Sequence, residues 1–251
     1  MAKQGEIDYV ARIGEVGADH ARGKPFSAPD CGRLLADLGG LFMVLPPAPA
    51  RLLDLGCGSG WTSVFFARRG YHVTGQDIAP DMIALAERNR AEAGLDNLDF
   101  RVCDYEGLGF DAEFDAAVFY DALHHAEDPA LALASVHRAL KPGGVLVTIE
   151  PGVGHAEAEA SRIAVETFGV TERDMPPRDI VRLGRAAGFT AARVYPTPKM
   201  LAMIQYELPR LARLPDWLSD LVRWGGMGWL MLAAKHRRGG MVVLRKPGAR
   251  A

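Results

Sequence analysis

A glycine-rich turn is the first feature of this sequence that predicts chemistry. The segment 54–61 reads D-L-G-C-G-S-G-W, after a short apolar run and before a helical pattern. Glycines here let backbone N–H groups at a helix N-terminus approach a ligand closely. Trp61 stands where a G-x-G-x-x-G dinucleotide motif has its third glycine, and no Lys follows as in a phosphate-binding loop. The turn and the acidic Asp54 therefore favour a ligand that carries both a carboxylate and an ammonium group.

Two further aspartates end later β-rich runs. Asp77 lies seventeen residues after Gly60, where a carboxylate can accept two hydrogen bonds from a ribose diol. Asp104 and Tyr105 end the next run, where an acceptor can bind the exocyclic amine of adenine while Tyr105 or Ile78 packs on the ring. A helix N-cap is the alternative for Asp77, and a turn-forming aspartate is the alternative for Asp104. The pattern predicts a nucleoside-containing ligand.

A parallel sheet is needed to bring these side chains together. From residue 51 onward β-rich runs alternate with helical patterns, which is typical of βαβ units. The runs lie at 52–56, 72–78, 98–104, 114–120, 144–150, 190–196 and 241–247. Proline starts and glycine stops predict helices over 80–93, 128–140 and 178–187. Leucines at helical spacing predict a further helix over 32–45, before the sheet.

Composition places the chain among ordinary globular proteins. It has 251 residues, 49% hydrophobic and 24% charged, with a formal net charge of −2, so no nucleic-acid partner is expected. Cys31, Cys57 and Cys103 form neither a disulfide framework nor a local metal-binding pair, which fits a reducing cytoplasm. No secretory signal or membrane-spanning stretch is visible, so a cytoplasmic protein without a transmembrane segment is expected.

Taken together, these motifs resemble those of class I S-adenosylmethionine-dependent methyltransferases. The matching segments are LDLGCGSG (53–60), GQDIAPDMI (75–83), VCDYEGL (102–108), FDAAVFYDALHHAEDP (114–129) and LKPGGVLVTIEPG (140–152). The resemblance is closest to the branch with an L-H-H sequence after strand four, which includes quinone and small-metabolite methyltransferases. It implies a Rossmann-like α/β fold, in which a seven-stranded, mostly parallel sheet has an antiparallel last strand and helices on both faces. It also implies S-adenosylmethionine as the cofactor and S-adenosylhomocysteine as the product.

The same resemblance assigns binding roles and a domain plan. It implies that Asp54 and the glycines of the turn hold the methionine moiety, Asp77 the ribose and Asp104 the adenine. The full set of predicted cofactor-binding residues is Asp54, Gly56, Cys57, Gly58, Gly60, Asp77, Ile78, Met82, Asp104, Tyr105 and Tyr120. The predicted domains are an N-terminal helical segment or lid at 1–48, the cofactor-binding core at 49–198 and 239–248, and a helical insertion at 199–238.

Candidate catalytic groups follow strands four and five. Methyl transfer from a sulfonium is an in-line displacement, so a base is needed only when the acceptor loses a proton. His124 and His125 follow strand four, and histidine is the commonest general base near neutral pH, although hydrogen-bonded structural histidines are the alternative. Asp121 is placed to orient one of them. Glu150 ends strand five, where it either faces the acceptor or forms a strand-end salt bridge.

Two other patterns predict neither catalysis nor metal binding. The segment T-E-R-D at 171–174 has the T-x-x-D form of a helix capping box. His124, His125 and His155 are not predicted to bind a metal, because neighbouring histidines do not easily share one tetrahedral ion and no Cys or Glu stands at ligand spacing.

The helical insertion has two interpretations. It is rich in Leu, Met and Trp and is followed by the basic run K-H-R-R at 235–238. Such a segment suits either a lid over an apolar substrate or an interfacial helix on anionic lipid. The lid is preferred because interfacial helices usually carry more basic charge along their polar face. A lid predicts that Trp217, Trp224 and Trp229 become protected from hydrogen exchange when cofactor and acceptor bind.

The sequence as a whole predicts an enzyme that transfers a methyl group from S-adenosylmethionine to a small metabolite, at a hydroxyl oxygen. Alternatives are C- or O-methylation of a lipid-like or isoprenoid acceptor, and a non-catalytic S-adenosylmethionine-binding module. A nicotinamide-dependent oxidoreductase is disfavoured by Trp61. The acceptor and the oligomeric state are left open.

Overall fold

A seven-stranded sheet forms the centre of the protein. The structure is a computed structural model, and it describes residues 2–207, 214–232 and 238–249. The strands are β1 (Arg51–Leu55), β2 (His72–Asp77), β3 (Leu98–Val102), β4 (Phe114–Tyr120), β5 (Leu140–Glu150), β6 (Ala191–Pro196) and β7 (Gly240–Arg245). Their spatial order is β3-β2-β1-β4-β5-β7-β6. β7 is antiparallel to both of its neighbours, and the other neighbouring pairs are parallel. The sheet predicted from the sequence is therefore confirmed.

Helices cover both faces of this sheet. They are α1 (Ala2–Ile7), α2 (Tyr9–Gly23), α3 (Cys31–Val44), α4 (Trp61–Arg68), α5 (Pro80–Ala93), α6 (Pro129–Ala139), α7 (Glu159–Phe168), α8 (Pro177–Ala186), α9 (Pro198–Tyr206) and α10 (Asp216–Leu232). Short 3-10 helices at Tyr105–Gly107 and Leu123–His125 follow β3 and β4. Because side chains alternate along a strand, Leu52 of β1 packs in the core that includes Phe66 of α4, and Leu53 packs in the core that includes Leu133 of α6.

Helix ends follow the local sequence closely. α5 has Pro80 in its first turn and ends at Gly94, whose φ of 63° is the left-handed conformation that glycine adopts at low cost. α6 is capped by Asp128, whose side chain accepts hydrogen bonds from the backbone N–H groups of Ala130 and Leu131. β5 begins at Leu140 and not at 144, because residues 140–143 continue the strand through an irregularity in its pairing with β4.

The predicted capping box at 171–174 is wrong. No helix begins there, since α8 starts at Pro177 with Pro176 at its N-cap. The carboxylate of Asp174 instead accepts hydrogen bonds from the backbone N–H groups of Gly154 and Ala156, at 2.9 and 3.0 Å. The segment is thus a connection that Asp174 ties to the turn after β5.

The helical insertion lies at the β6 edge of the sheet. α9 packs on α3, and α10 packs on α9 and β6. α10 exposes an apolar face that includes Trp217, Leu221, Trp224 and Leu232, which are between 61% and 81% exposed. Residues 208–213 and 233–237 of the predicted insertion, including most of the basic run, lie outside the described residues. Within the described chain no helix is both long and apolar enough to cross a bilayer.

The contact between α3 and α9 provides a matched pair of stability tests. Both Gly39 and Gly40 are inside α3, but a Cβ added to Gly40 would clash with Pro198, and one added to Gly39 would meet open space. We expect Gly39→Ala to stabilise the protein by up to about 1 kcal/mol through helix propensity. Gly40→Ala should destabilise it by about 1–3 kcal/mol through overpacking. Urea unfolding of both variants checks this, and equal effects would contradict the described α3–α9 contact.

Candidate active site

A divided cavity lies at the carboxyl ends of β1, β2 and β4, beneath α1 and α2. Its two adjoining parts have volumes of about 360 and 260 Å³. The parts share walls formed by Tyr9, Lys24, Gly56, Gly58, Met82 and Asp121. α1 and α2 thus cover the cavity, whereas none of the described residues of α9 and α10 lines it. The lid role predicted for 199–238 stays a prediction, and the cover that is seen comes from the N-terminal segment.

The glycine-rich turn forms the floor between the two parts. Gly56, Gly58 and Gly60 have φ values of 63°, 53° and 74°, in the left-handed region. A Cβ at Gly56 would lie 2.6 Å from Ala122 Cβ, and one at Gly60 would lie 2.6 Å from Phe100. Gly58 faces open space. The backbone N–H groups of these glycines donate within the protein, to Gln76, Asp77 and the carbonyl oxygen of Cys57. The turn leads directly into the N-terminus of α4, whose partial positive charge favours an anionic group in the cavity.

Asp77 connects this turn to the end of β2. Its two carboxylate oxygens accept hydrogen bonds from the backbone N–H groups of Gly58 and Ala79, both at 2.9 Å. Burial raises the pKa of the carboxyl, and these two hydrogen bonds oppose the rise. The side chain also lines the cavity, where its remaining lone pairs are available to a ligand.

Asp54 does not contact the cavity, contrary to the expectation from the sequence. It is 1% exposed, and one of its oxygens accepts hydrogen bonds from the hydroxyls of Thr62 and Ser63, both at 2.6 Å. Burial raises the pKa of this carboxyl to about 6, against the opposing effect of the two hydroxyls. The residue therefore holds the first turn of α4 to β1 and acts on any ligand only through the turn.

The remaining predicted cofactor residues divide into two groups. Those that line the cavity are Cys57, Ile78, Met82, Tyr105 and Tyr120, in addition to Gly56, Gly58 and Asp77. Gly60 and Asp104 do not line it. Asp104 accepts a hydrogen bond from the ammonium of Lys3 at 2.5 Å, and the same ammonium lies 2.7 Å from Glu106. The predicted adenine acceptor is thus paired with the N-terminal helix in this structure.

Glu150 holds the loop that follows β4. It is 3% exposed, and its oxygens accept hydrogen bonds from the backbone N–H groups of Ala122, Leu123 and His124, and from Nδ1 of His124 at 2.8 Å. Its bonding capacity is therefore used within the protein, so it positions His124 and does not face an acceptor. Glu150, and not Asp121, orients that histidine. Asp121 lies in the cavity wall with a positive φ of 54°.

A cluster of histidines and carboxylates forms one side of the larger part of the cavity. His124 Nε2 lies 3.6 Å from a carboxylate oxygen of Glu172, and His155 Nε2 lies 2.6 Å from the same oxygen. His125 Nδ1 lies 2.7 Å from the carbonyl oxygen of Thr171 and 3.2 Å from the carboxylate of Glu6. Burial lowers the pKa of His125, but the hydrogen bond and charge of Glu6 outweigh it, and the pKa rises to about 9.

Several residues of this wall were not predicted from the sequence. Glu6 and Tyr9 come from α1 and α2, whose approach to the sheet leaves no local pattern. Glu172 lies inside the segment interpreted as a capping box. One feature of the sequence argues against a helix start at this segment. Pro176-Pro177 follows two residues after Asp174, and the residue before a proline is disfavoured in a helix.

Comparison with known proteins agrees with the fold and the turn. Residues 53–148 match the model of a family described as a methyltransferase domain. This segment holds the glycine-rich turn, Asp77 and the two histidines, so most of the cavity floor belongs to it. The cover of the cavity and Glu172 lie outside the matched segment.

Curated relatives share part of the chain. The ubiquinone biosynthesis O-methyltransferase of Xylella fastidiosa is 40% identical over 104 residues, which are 41% of this chain and 42% of the relative. The enzyme of the same name from Xanthomonas axonopodis is 39% identical over 104 residues, 41% of this chain and 43% of the relative. The chain thus spans about two fifths of the length of the curated relatives that it matches.

Solved structures share the fold of this chain beyond the matched segment. A complex of phosphoethanolamine N-methyltransferase 2 from Haemonchus contortus with S-adenosyl-L-methionine is similar at a TM-score of 0.68 and 20% identity, over 98% of this chain and 60% of that chain. Geranyl diphosphate C-methyltransferase from Streptomyces coelicolor is similar at a TM-score of 0.63 and 19% identity, over 90% of this chain and 84% of that chain.

The raised pKa of Asp54 predicts a pH-dependent effect on stability. A carboxyl whose pKa is higher in the folded than in the unfolded state stabilises the fold at low pH, and this contribution is lost as pH rises from about 4 to 6. Asp54→Asn removes the titration. We therefore expect the unfolding free energy of the variant, relative to that of the unmodified protein, to increase by about 2–3 kcal/mol between pH 4 and pH 8, because only the unmodified protein loses stability over this range.

Urea unfolding of both proteins at several pH values measures this difference. A difference that stays constant from pH 4 to pH 8 would contradict the assignment of Asp54 as a buried, titrating carboxyl.

Proposed function

We propose that the protein transfers a methyl group from S-adenosylmethionine to an oxygen atom of a small-molecule acceptor. The observation that carries the proposal is the position of Asp77, which joins the end of β2 to the glycine-rich turn and still lines the cavity. A carboxylate at this point of a Rossmann-like sheet is suited to a ribose diol.

The residues around the cavity fit S-adenosylmethionine by their chemistry. Ser59 and Trp61 line the smaller part of the cavity at the N-terminus of α4, whose partial positive charge suits the carboxylate of the methionine moiety. Asp77 serves the ribose. Ile78, Met82 and Tyr105 line the larger part of the cavity and supply apolar and aromatic surface for the adenine. When bound, the cofactor supplies the methyl group on an activated sulfonium.

Asp104 binds the adenine amine only after its ion pair with Lys3 has been rearranged. Asp77 is therefore the main cofactor contact in this proposal, and Asp104 is a secondary one.

An oxygen acceptor is supported by the names of the relatives. The curated proteins that share about 40% identity over the central segment are ubiquinone biosynthesis O-methyltransferases. The second part of the cavity, which Trp61 and Tyr120 help to line, provides an aromatic surface for a small organic molecule.

The three free thiols, Cys31, Cys57 and Cys103, support the accompanying inference of a cytoplasmic location.

The reaction balances with one proton released. The bond between the sulfonium sulfur and the methyl carbon breaks as the bond between the acceptor oxygen and that carbon forms. The products are a methyl ether, S-adenosylhomocysteine and a proton from the acceptor hydroxyl. Holding the acceptor oxygen in line with the sulfur–carbon bond is the main contribution asked of the protein. The prediction that His124 or His125 takes this proton as a general base stays a prediction.

Replacing Asp77 tests the cofactor proposal. Asp77→Ala should weaken binding of S-adenosylmethionine by about 1.5–3 kcal/mol for each charge-assisted hydrogen bond lost, before water compensates. Isothermal titration calorimetry measures the affinity. Asp81→Ala is the matched control, because Asp81 is an exposed carboxylate in the first turn of α5 and does not line the cavity. Equal affinities of Asp77→Ala and Asp81→Ala would overturn the proposal.

Turnover tests the proposal of an enzyme. We expect release of S-adenosylhomocysteine, together with a product heavier by one methylene, when the protein meets S-adenosylmethionine and phenolic or hydroquinone acceptors. Mass spectrometry detects both products. Tight cofactor binding without turnover on any hydroxyl, amine or carbon acceptor tried would instead favour a binding module.

A further inference from the structure

We propose that His124, His125 and Glu172 form a binding site for one divalent transition-metal ion in the wall of the cavity. One ring nitrogen of each histidine and one carboxylate oxygen of Glu172 lie within 4.8 Å of one another. Two imidazoles and one carboxylate are a ligand set for zinc and for ferrous iron, and such sites keep open positions for a substrate. The sequence did not predict a metal because no Cys or Glu stands at ligand spacing from the histidines, and the fold supplies Glu172 from the connection before α8.

The partners of the two histidines favour metal binding. Glu150 accepts a hydrogen bond from Nδ1 of His124, and the carbonyl oxygen of Thr171 accepts one from Nδ1 of His125. A donor N–H on Nδ1 leaves the lone pair on Nε2, which is the form in which histidine binds metals. Carboxylates and backbone carbonyls in this position are the usual outer partners of metal-bound histidines, because they fix the ring orientation.

The spacing of the ligand atoms also suits an ion. His124 Nε2 and the nearer oxygen of Glu172 are 3.6 Å apart. Two ligands at about 2.0–2.1 Å from a tetrahedral zinc ion are separated by roughly 3.3 Å. His155 Nε2 lies 2.6 Å from the same oxygen, so this third histidine can hold the carboxylate in place. A small shift of side chains would close the site around the ion.

Carboxylates surround the histidines of this cluster. Glu6, Glu150 and Glu172 all contact the histidines, and the side chains of Glu150 and His124 are almost completely buried. With neutral imidazoles the cluster holds three carboxylates, and buried negative charge is costly unless a cation compensates it. The competing way to compensate it is protonation of the histidines.

The site deepens the proposed function and rests on it only for its role, not for its existence. The cluster lines the same part of the cavity as Asp77. An acceptor hydroxyl that coordinates the ion has a lowered pKa and loses its proton to water more readily. In that arrangement His124 is a metal ligand and not the general base.

Metal titration of the untagged, chelator-treated full chain tests the site. We expect one Co²⁺ ion per chain, visible as d–d absorption, and competition by Zn²⁺. Glu172→Gln keeps an acceptor for His155 but removes the anionic ligand, so it should weaken the affinity by at least about 100-fold. Glu150→Gln keeps all proposed ligands but changes the partner of His124 and of the backbone N–H groups that follow β4, so it should weaken the affinity by about 10- to 100-fold. His72→Gln is the control for histidine on the surface, because His72 is an exposed residue at the start of β2.

Circular dichroism and thermal unfolding establish that each variant folds. Absence of Co²⁺ and Zn²⁺ binding by the unmodified chain would overturn the proposal, as would equal binding by Glu172→Gln and His72→Gln. Calorimetry with S-adenosylmethionine on the metal-free chain separates the two proposals. Cofactor binding without metal binding removes the metal site alone, and metal binding without cofactor binding removes the proposed function alone.

Discussion

The cavity depends on one buried carboxylate more than on any other group. The loop after β4 must leave the sheet abruptly, which exposes three consecutive backbone N–H groups in an environment without water. Unpaired N–H groups in the interior cost about 1–3 kcal/mol each. Glu150, at the end of the neighbouring strand β5, accepts all three and also fixes the ring of His124. The ends of β4 and β5 are therefore joined by a side chain, and the polar wall of the cavity takes its shape from that junction.

A similar connection joins the other side of the cavity. The carboxylate of Asp77 holds the glycine-rich turn to the end of β2, and Asp54 holds the start of α4 to β1 through two hydroxyls. In both places a carboxylate at a strand end supplies hydrogen-bond acceptors to backbone or hydroxyl donors of the next element. The resulting frame joins the ends of β1 and β2 to the glycine-rich turn and to the first turn of α4.

The fold was largely predictable because its signals are local. Alternating strands and helices, the proline and glycine at the ends of α5, and the order of the motifs along the chain all act within a few residues of one another. The site was less predictable because its contacts are distant in sequence. Glu150 and Asp54 were correctly placed at strand ends, but their partners determine whether they face a ligand, and the sequence pattern does not encode those partners. Tertiary packing brings Lys3, Glu6 and Glu172 to the site, so no sequence motif predicts them there.

The cover of the cavity and its floor come from different parts of the chain. The segment shared with the methyltransferase domain family spans residues 53–148, yet Glu6, Tyr9, Lys24 and Glu172, which enclose the cavity from above, lie outside it. The residues that form the floor of the cavity and the residues that enclose it thus lie in separate stretches of sequence. Substitutions in the first twenty-five residues or in the connection before α8 can therefore alter the enclosing walls without removing the hydrogen bonds by which Asp54 and Asp77 hold the floor.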